Sequence, residues 1–440
     1  MRVLFILPEY IPHSGGGIST YYQQYIMCLA PFCEEIKVIV GSGYSYGGTD
    51  FEHKNVIVEY LKKSLFENTL IKFEKYNLFP EYKKNVAAAW AMWEQCNGGN
   101  DYDIVECVDF GLGYIPWIVH HNKPVITRLH GSPGQIEIHE PSLKGKLIGD
   151  INRQTELNLL PKCNALITHS KSNQMFWKKT LDSEIELIYP VYENNSIQTD
   201  KIEKADFGIV CGRIQQWKGP DILCKALNLL TGPKPIIKWY GRDTSFDQKI
   251  SKSEDLGQKY PGTWGTYIVP QPPVPNADIY IIQKSAKFAV IPSTWDMFNF
   301  TCLEYMSNKT LVICSDGAGV SDLIESGENG FKYASQNFEA LSNLIQSVNY
   351  LSDSEYRAIV ENALNTLKIK LSSSAIIPQN LAVYNKIQQN FKASERNLFF
   401  TEIYAPSDIM DNIPNLLDLQ PLKKLGKYVI SRMLKKIKVN

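Results

Sequence analysis

Two charged pairs in the second half of the chain have the types and spacing to do chemistry. Arg213 and Lys218 flank a turn directly after the apolar run Phe207-Gly-Ile-Val-Cys-Gly212. A guanidinium offers a planar fork and an ammonium a point charge, a combination suited to holding a diphosphate. Asp296 and Glu304 stand eight residues apart. Asp296 lies in a loop after the apolar run Phe288 to Ile291. Glu304 lies a turn into a helical pattern that leads to a further apolar run, Leu311 to Cys314. Strand, acidic loop, acidic helix start and strand make half of a βαβ unit. Its loop falls at the carboxyl end of a strand, where open α/β sheets bind ligands. Both acids can face a ligand over that helix start, with the N–H groups of Met297, Phe298, Asn299 and Phe300 directed at the same place. The spacing alone fits a surface loop with two solvated acids equally well.

The first half offers two more candidates. Val3-Leu-Phe-Ile-Leu7 is an apolar strand of the kind buried on both faces of a parallel sheet. A loop ending in Ser14-Gly15-Gly16-Gly17 follows, and then Ile18, Tyr21, Tyr22, Tyr25, Ile26 and Leu29 recur at helical spacing. Without Cβ atoms, Gly16 and Gly17 let the backbone approach an anion at the start of a helix. A plain tight turn has the same signature. His130 stands just past the strand pattern Val125 to Arg128 and is followed by Gly131-Ser132. That position suits ligand contact, although a lone histidine is as readily structural. His169-Ser170-Lys171-Ser172, after the strand Ala165 to Thr168, is a helix-start signal.

The elements that would hold these residues are those of two α/β units. A chain of 440 residues exceeds one ordinary core. Its 44% hydrophobic and 21% charged content is that of a soluble globular protein. Further strands are expected at Lys37 to Val40, Val56 to Val58, Ile104 to Val108, Ile236 to Tyr240 and Tyr267 to Val269. The 46 basic residues cancel the 46 acidic ones, which argues against nucleic acid as a partner. Nine cysteines without a C-x-x-C pair read as small buried hydrophobes in a reducing, cytoplasmic compartment. No stretch approaches the roughly 18 apolar residues that span a bilayer. The aromatics between Tyr60 and Trp93 could line an apolar groove or fill a core.

The end of the chain differs. Residues 401 to 420 are polar, with Pro406 and Pro414, and read as a loose linker. Pro421 to Asn440 holds seven Lys or Arg and no acid, with Leu422, Leu425, Val429, Met433 and Ile437 at helical spacing. A basic amphipathic helix of this kind suits an anionic membrane surface, or else packs back on the body.

In this order, the glycine loop, the H-G after a later strand, G-R-x4-K-G at Gly212 to Gly219 and P-S-x-W-D-x-F-x-F-x-x-L-E resemble the GT-B glycosyltransferases of the family 4 type. The likeness covers roughly residues 1 to 390 and implies α/β architecture, with two Rossmann-like domains facing across a cleft. The expected bounds are 1–190 for an acceptor-side domain, 191–205 for a linker and 206–375 for a donor-side domain. A helix over 376–400 is expected to return to the first domain, with the linker and basic helix over 401–440. The resemblance implies retaining transfer from a UDP- or GDP-linked sugar to a glycan, lipid-linked or protein acceptor, without cofactor or metal. Arg213 and Lys218 match the residues that bind the donor diphosphate. Glu304 matches the acid on the ribose, and Asp296 the acid near the sugar. Gly16 and Gly17 match the phosphate-closing loop, and His130 the histidine near the donor sugar. A cytoplasmic enzyme, peripheral on the inner membrane face, would fit.

Two residues depart from the family pattern. Asp296 stands where Glu is usual, and Asn299 where Gly is usual. Both touch the sugar end of the donor site. A different sugar, a shifted pose or reduced activity would each account for them. A catalytically weak scaffold or nucleotide-sugar-binding relative is one alternative reading. A same-fold nucleotide-sugar epimerase is another, though those enzymes lack this combination of motifs.

Overall fold

The computed structural model describes residues 1–12, 16–140, 147–193, 203–244, 250–272, 274–395, 397–406 and 416–437. Ser14, Gly15, most of the expected linker and Lys438 lie outside them.

The first sheet comprises β1 (Arg2–Leu7), β2 (Glu35–Val40), β3 (Phe51–His53), β4 (Val56–Tyr60), β5 (Ile104–Val108), β6 (Val125–Leu129), β7 (Ala165–Thr168) and β8 (Glu186–Leu187). Their spatial order is β3-β4-β2-β1-β5-β6-β7-β8. All pairs are parallel except the β3 edge. Val3 to Leu7 are at most 1% exposed because helices cover both faces. The chain winds outward from β1 to β4, then returns to β5 on the other flank. The carboxyl ends of β1, β5 and β6 therefore lie side by side at the switch point.

The second sheet has β9 (Ala205–Cys211), β10 (Ile237–Tyr240), β11 (Ile268–Gln271), β12 (Ala286–Ile291), β13 (Leu311–Ser315) and β14 (Phe331–Tyr333), in the order β11-β10-β9-β12-β13-β14. Its switch point falls between β9 and β12. The G-R-x4-K-G turn follows β9 and the acidic loop follows β12, so topology alone sets the two motifs next to each other.

The chain crosses between the halves twice, and the crossings are tied together. Tyr192 N–H donates to the Leu371 carbonyl at 2.8 Å and Ser373 N–H to Glu193 Oε1 at 2.7 Å. After the second crossing the helix Ser373–Asn390 docks on the first half. Arg128 and Glu106, both 0% exposed, form a two-pronged ion pair beneath it. Arg128 also donates to Asn380 Oδ1, and Tyr384 donates to Glu106. A buried charge pair costs desolvation, and these hydrogen bonds offset part of it, while Arg128 Nη1 has no partner among the described residues.

The expected loose linker over 401–420 is corrected where it is described, residues 407–415 lying outside the described residues. Leu398–Tyr404 is a helix, and Ile403, Tyr404 and Leu416 are fully buried in the first-half core. Trp90 Nε1 donates to the Tyr404 carbonyl at 2.7 Å, and Lys75 Nζ to the carbonyls of Glu402 and Ala405 at 2.8 Å. The polar composition hid this anchor because its partners are main-chain carbonyls. The basic helix spans Leu422–Ile437, and its expected apolar stripe is split: Leu425 packs inward while Leu422, Val429 and Met433 stay exposed. The aromatics Phe66, Phe73, Tyr76, Phe79, Tyr82 and Trp90 are core. No helix among the described residues is long and apolar enough to cross a membrane.

Candidate active site

The acidic loop is built before any ligand arrives. Gly219 adopts a positive φ of 74°, and a Cβ there would lie 1.8 Å from the Pro292 carbonyl oxygen. Only glycine lets the K-G turn press against the end of β12. Thr294 N–H then donates to the Trp217 carbonyl at 2.7 Å, stitching the two loops together. The segment after β13 holds the other side: Asp296 N–H donates to the Gly317 carbonyl, and Gly319 N–H to the Asp296 carbonyl, each at 2.9 Å. As a result Lys218 Nζ meets Asp296 Oδ2 at 2.5 Å.

Asn299 accounts for itself in the same place. Its φ is 77°, a left-handed conformation that asparagine tolerates best after glycine. From there its Oδ1 caps the helix Phe300–Ser307 by accepting from Cys302 N–H, and its Nδ2 donates to Asp296 Oδ2 at 2.8 Å. Glycine could supply the turn but neither hydrogen bond. Glu304, four residues after Phe300, shares its helix face. Burial raises its carboxyl above the usual range, partly opposed by Gln283 Nε2, which donates to Oε2 at 2.7 Å.

Met297 and Phe298 turn away from this loop. Met297 Sδ accepts from Asn173 Nδ2 at 3.1 Å, and Phe298 is 1% exposed among aromatics from both halves. Their side chains join the halves, so only their backbone is free to meet a ligand. Arg213 is exposed, with no ion pair among the described residues.

The first half closes on this loop from above. A Cβ at Gly17 would come within 3.9 Å of the Phe300 ring, and one at Gly131 within 3.6 Å of Trp295. His139 stacks on Trp295 with centroids 4.3 Å apart and planes 3° apart. Between the halves, an open cavity of about 360 Å³ is bordered by His139, Gln216, Gly219 and Thr294.

The His130-Gly131 turn is fixed by Asp109, whose carboxylate accepts both backbone N–H groups at 2.9 and 3.2 Å. The His130 ring packs on Tyr21 and His169, with centroids 4.9 Å away in each case. Burial pushes its pKa well below the usual value, with His169 and Arg128 adding to the shift, so the ring is neutral. Its Nε2 is buried and has no partner among the described residues.

Three residues that bear on the site escape a sequence reading. Glu9 accepts from Ser19 N–H at 3.2 Å, and a Cβ at Gly16 would lie 2.0 Å from its Oε1. One carboxylate thus already sits where the glycine loop starts its helix. An acid just after β1 was the available signal. His169 follows β7 as His130 follows β6, and that repeated position could have found it. Gln283 carries no motif.

Residues 191–366 match the family described as glycosyl transferases group 1, a span that holds Arg213, Lys218, Asp296 and Glu304. The chain is a glycosyltransferase. The enzyme is 22% identical over 412 residues to an uncharacterized glycosyltransferase of Methanocaldococcus jannaschii, covering 87% of this chain and 98% of that one. A stretch of 111 residues is 32% identical to the lipopolysaccharide core biosynthesis mannosyltransferase LpcC of Rhizobium leguminosarum bv. viciae, covering 25% of this chain and 31% of that protein. Among solved structures, sucrose-phosphate synthase from Thermosynechococcus elongatus aligns with a TM-score of 0.67 at 17% identity, over 88% of this chain and 99% of that one. Anabaena HepE in complex with UDP and glucose aligns with a TM-score of 0.63 at 16% identity, over 88% and 100%. The fold of the enzyme is GT-B.

Proposed function

We propose that the enzyme transfers a sugar from a nucleoside diphosphate sugar with retention at the anomeric carbon, as family 4 enzymes do. The observation that carries this reading is the contact between Lys218 and Asp296 at 2.5 Å, under a lid formed by Gly17 and the His130-Gly131 turn. Arg213 and Lys218 hold the diphosphate and stabilise the charge that grows as it departs. One such donor is worth about 10²–10³ in rate. Glu304 takes the ribose hydroxyls, with Gln283 fixing its orientation. Asp296 and neutral His130 face the sugar, and the unpartnered Nε2 of His130 supplies a hydrogen bond there. The structure of HepE with UDP-glucose supports a nucleotide-sugar donor, and a UDP- or GDP-linked sugar fits this site. The acceptor is a glycan, a lipid-linked sugar or a protein, entering by the cavity beside His139. No metal is assigned a role.

Screening nucleotide sugars by thermal shift, then following nucleoside diphosphate release and the product's anomeric configuration by NMR, tests the reading. A ligand at 100 times its Kd adds about 2.7 kcal/mol of stability. Inversion of configuration rejects the retaining mechanism. Binding without any turnover across a broad acceptor panel favours the scaffold alternative.

A further inference from the structure

We propose that the outward face of the helix Leu422–Ile437 is a docking surface for an anionic lipid bilayer. The inward face is already used. Leu425 and Tyr428 pack against the first-half core, and the Tyr428 ring stacks on Phe79 with centroids 5.1 Å apart. Arg432 donates to the Leu78 carbonyl at 3.2 Å, and Lys424 pairs with Asp150 at 2.5 Å. The helix is thereby held on the body with its other side turned to solvent.

That other side is apolar where a solvated helix would be polar. Leu422 is 85% exposed, Met433 60%, Ile430 59% and Leu434 55%. Lys423 and Lys427 lie on the same outward side, and neither has a carboxylate partner among the described residues. Residues 421–440 carry seven cations and no acid, which leaves 39 cations against 46 acids in the rest of the chain. The rest of the chain is thus net acidic, and Lys423 and Lys427 stand beside the exposed apolar side chains of a segment with no acid of its own.

A bilayer with acidic headgroups matches both properties at once. Acyl chains receive the apolar side chains while lysine stems extend to the phosphates. A second copy of the chain matches only one. Two-fold pairing of this face would bring Lys423 and Lys427 of both copies into one interface with no carboxylate of the segment to neutralise them. The helix also grips Asp150, near the start of a helix whose predecessor, Pro133–His139, borders the cleft. A bilayer here would bring membrane-embedded acceptors towards that rim. This last step rests on the transfer reading, whereas the docking itself does not.

The test uses the full chain and vesicles of phosphatidylcholine, alone or with phosphatidylglycerol. The protein is expected to co-sediment with the anionic vesicles and to be released by salt. The triple variant Ile430→Ser, Met433→Ser, Leu434→Ser and the double variant Lys423→Glu, Lys427→Glu should each lose about tenfold or more in partitioning. Both should keep the thermal midpoint and the nucleotide binding of the parent, which separates this surface from the donor site. Equal sedimentation of parent and variants, or equal binding to neutral vesicles, overturns the proposal. So does a dimer in sedimentation velocity that the triple variant dissolves without any vesicle binding.

Discussion

Lys218 and Asp296 form an ion pair at the turn where the proposed donor diphosphate would enter. Nζ and Oδ2 lie 2.5 Å apart, and Asn299 holds the same oxygen from the other side. A phosphate approaching Lys218 therefore meets a carboxylate that repels it. The carboxylate would then have to serve the sugar. Asp296→Asn should separate these effects. Removing the anion is expected to tighten nucleoside diphosphate binding by about three- to tenfold, the order of one partly screened charge. Transfer should nevertheless fall at least tenfold. Calorimetry and product release measure the two; weaker binding of the free diphosphate would refute the competition.

Arg213 and Lys218 have different neighbours and should fail alike. Arg213→Ala and Lys218→Ala are each expected to lower kcat/KM by about 10²–10³. Neither side chain is buried, so unfolding midpoints should stay within a degree or two of the parent. Near-parental turnover in both variants would reject the diphosphate assignment.

Asn299 does three jobs at once, and substitutions can divide them. Glycine keeps the left-handed turn but loses the cap and the bond to Asp296. At the cap this costs only a few tenths of a kcal/mol. Alanine also meets the conformational penalty, and a further loss of about 1–2 kcal/mol is expected. Stability should rank parent, Asn299→Gly, Asn299→Ala in denaturant melts. Activity should fall in both variants because Asp296 is released. Full activity in Asn299→Gly would show that Asp296 needs no such support.

Fold and site were legible in the sequence to different depths. Runs such as Val3 to Leu7 and Ile104 to Val108 sit in parallel strands covered on both sides, so their apolar character alone marks them. Motif order then set Arg213, Lys218, Asp296 and Glu304 around one switch point. The pairing of Lys218 with Asp296 was not legible, since it depends on Gly219 pressing on Pro292. Nor was Gln283, whose contact with Glu304 arises between two helices. Ile403 and Tyr404 were missed because tertiary contacts override the polar sequence around them. β3 and β14 are three residues each, too short for a pattern to declare them.

The ion pair of Arg128 and Glu106 should be costly to break. It joins β5 and β6 to the helix Ser373–Asn390, with both side chains fully buried. Arg128→Met leaves a buried carboxylate without its counter-charge, a change that typically costs about 3–5 kcal/mol. Limited proteolysis should then cut first in or after the returning helix. If the variant melts with the parent, the pair does not anchor that helix.

Two buried carboxyls give stability a pH dependence of predictable sign. Burial raises Asp109 to about 7 and Glu156 to about 8, opposed in each case by backbone N–H donors. Unfolded carboxyls titrate near pH 4, so the folded state holds these protons more tightly. Their contribution is complete below about pH 4 and is lost as pH rises through about 7 and 8. His169, pushed down to about 3 by burial and by Arg128, acts in the opposite sense. Its contribution is present above about pH 6.5 and lost as pH falls towards 3. The two trends oppose each other in acid. From pH 6.5 to about 7.5 the two carboxyls dominate; nearer pH 8 the ammonium groups of Lys75 and Lys204, each lowered to about 8 by burial, begin to act in the opposite sense. The thermal midpoint is therefore expected to decline from pH 6.5 to about 7.5. Glu156→Gln keeps a neutral group beside Gly134 N–H and should flatten that decline. A variant with the parent's slope over this range would show that Glu156 carries no proton into the alkaline limb.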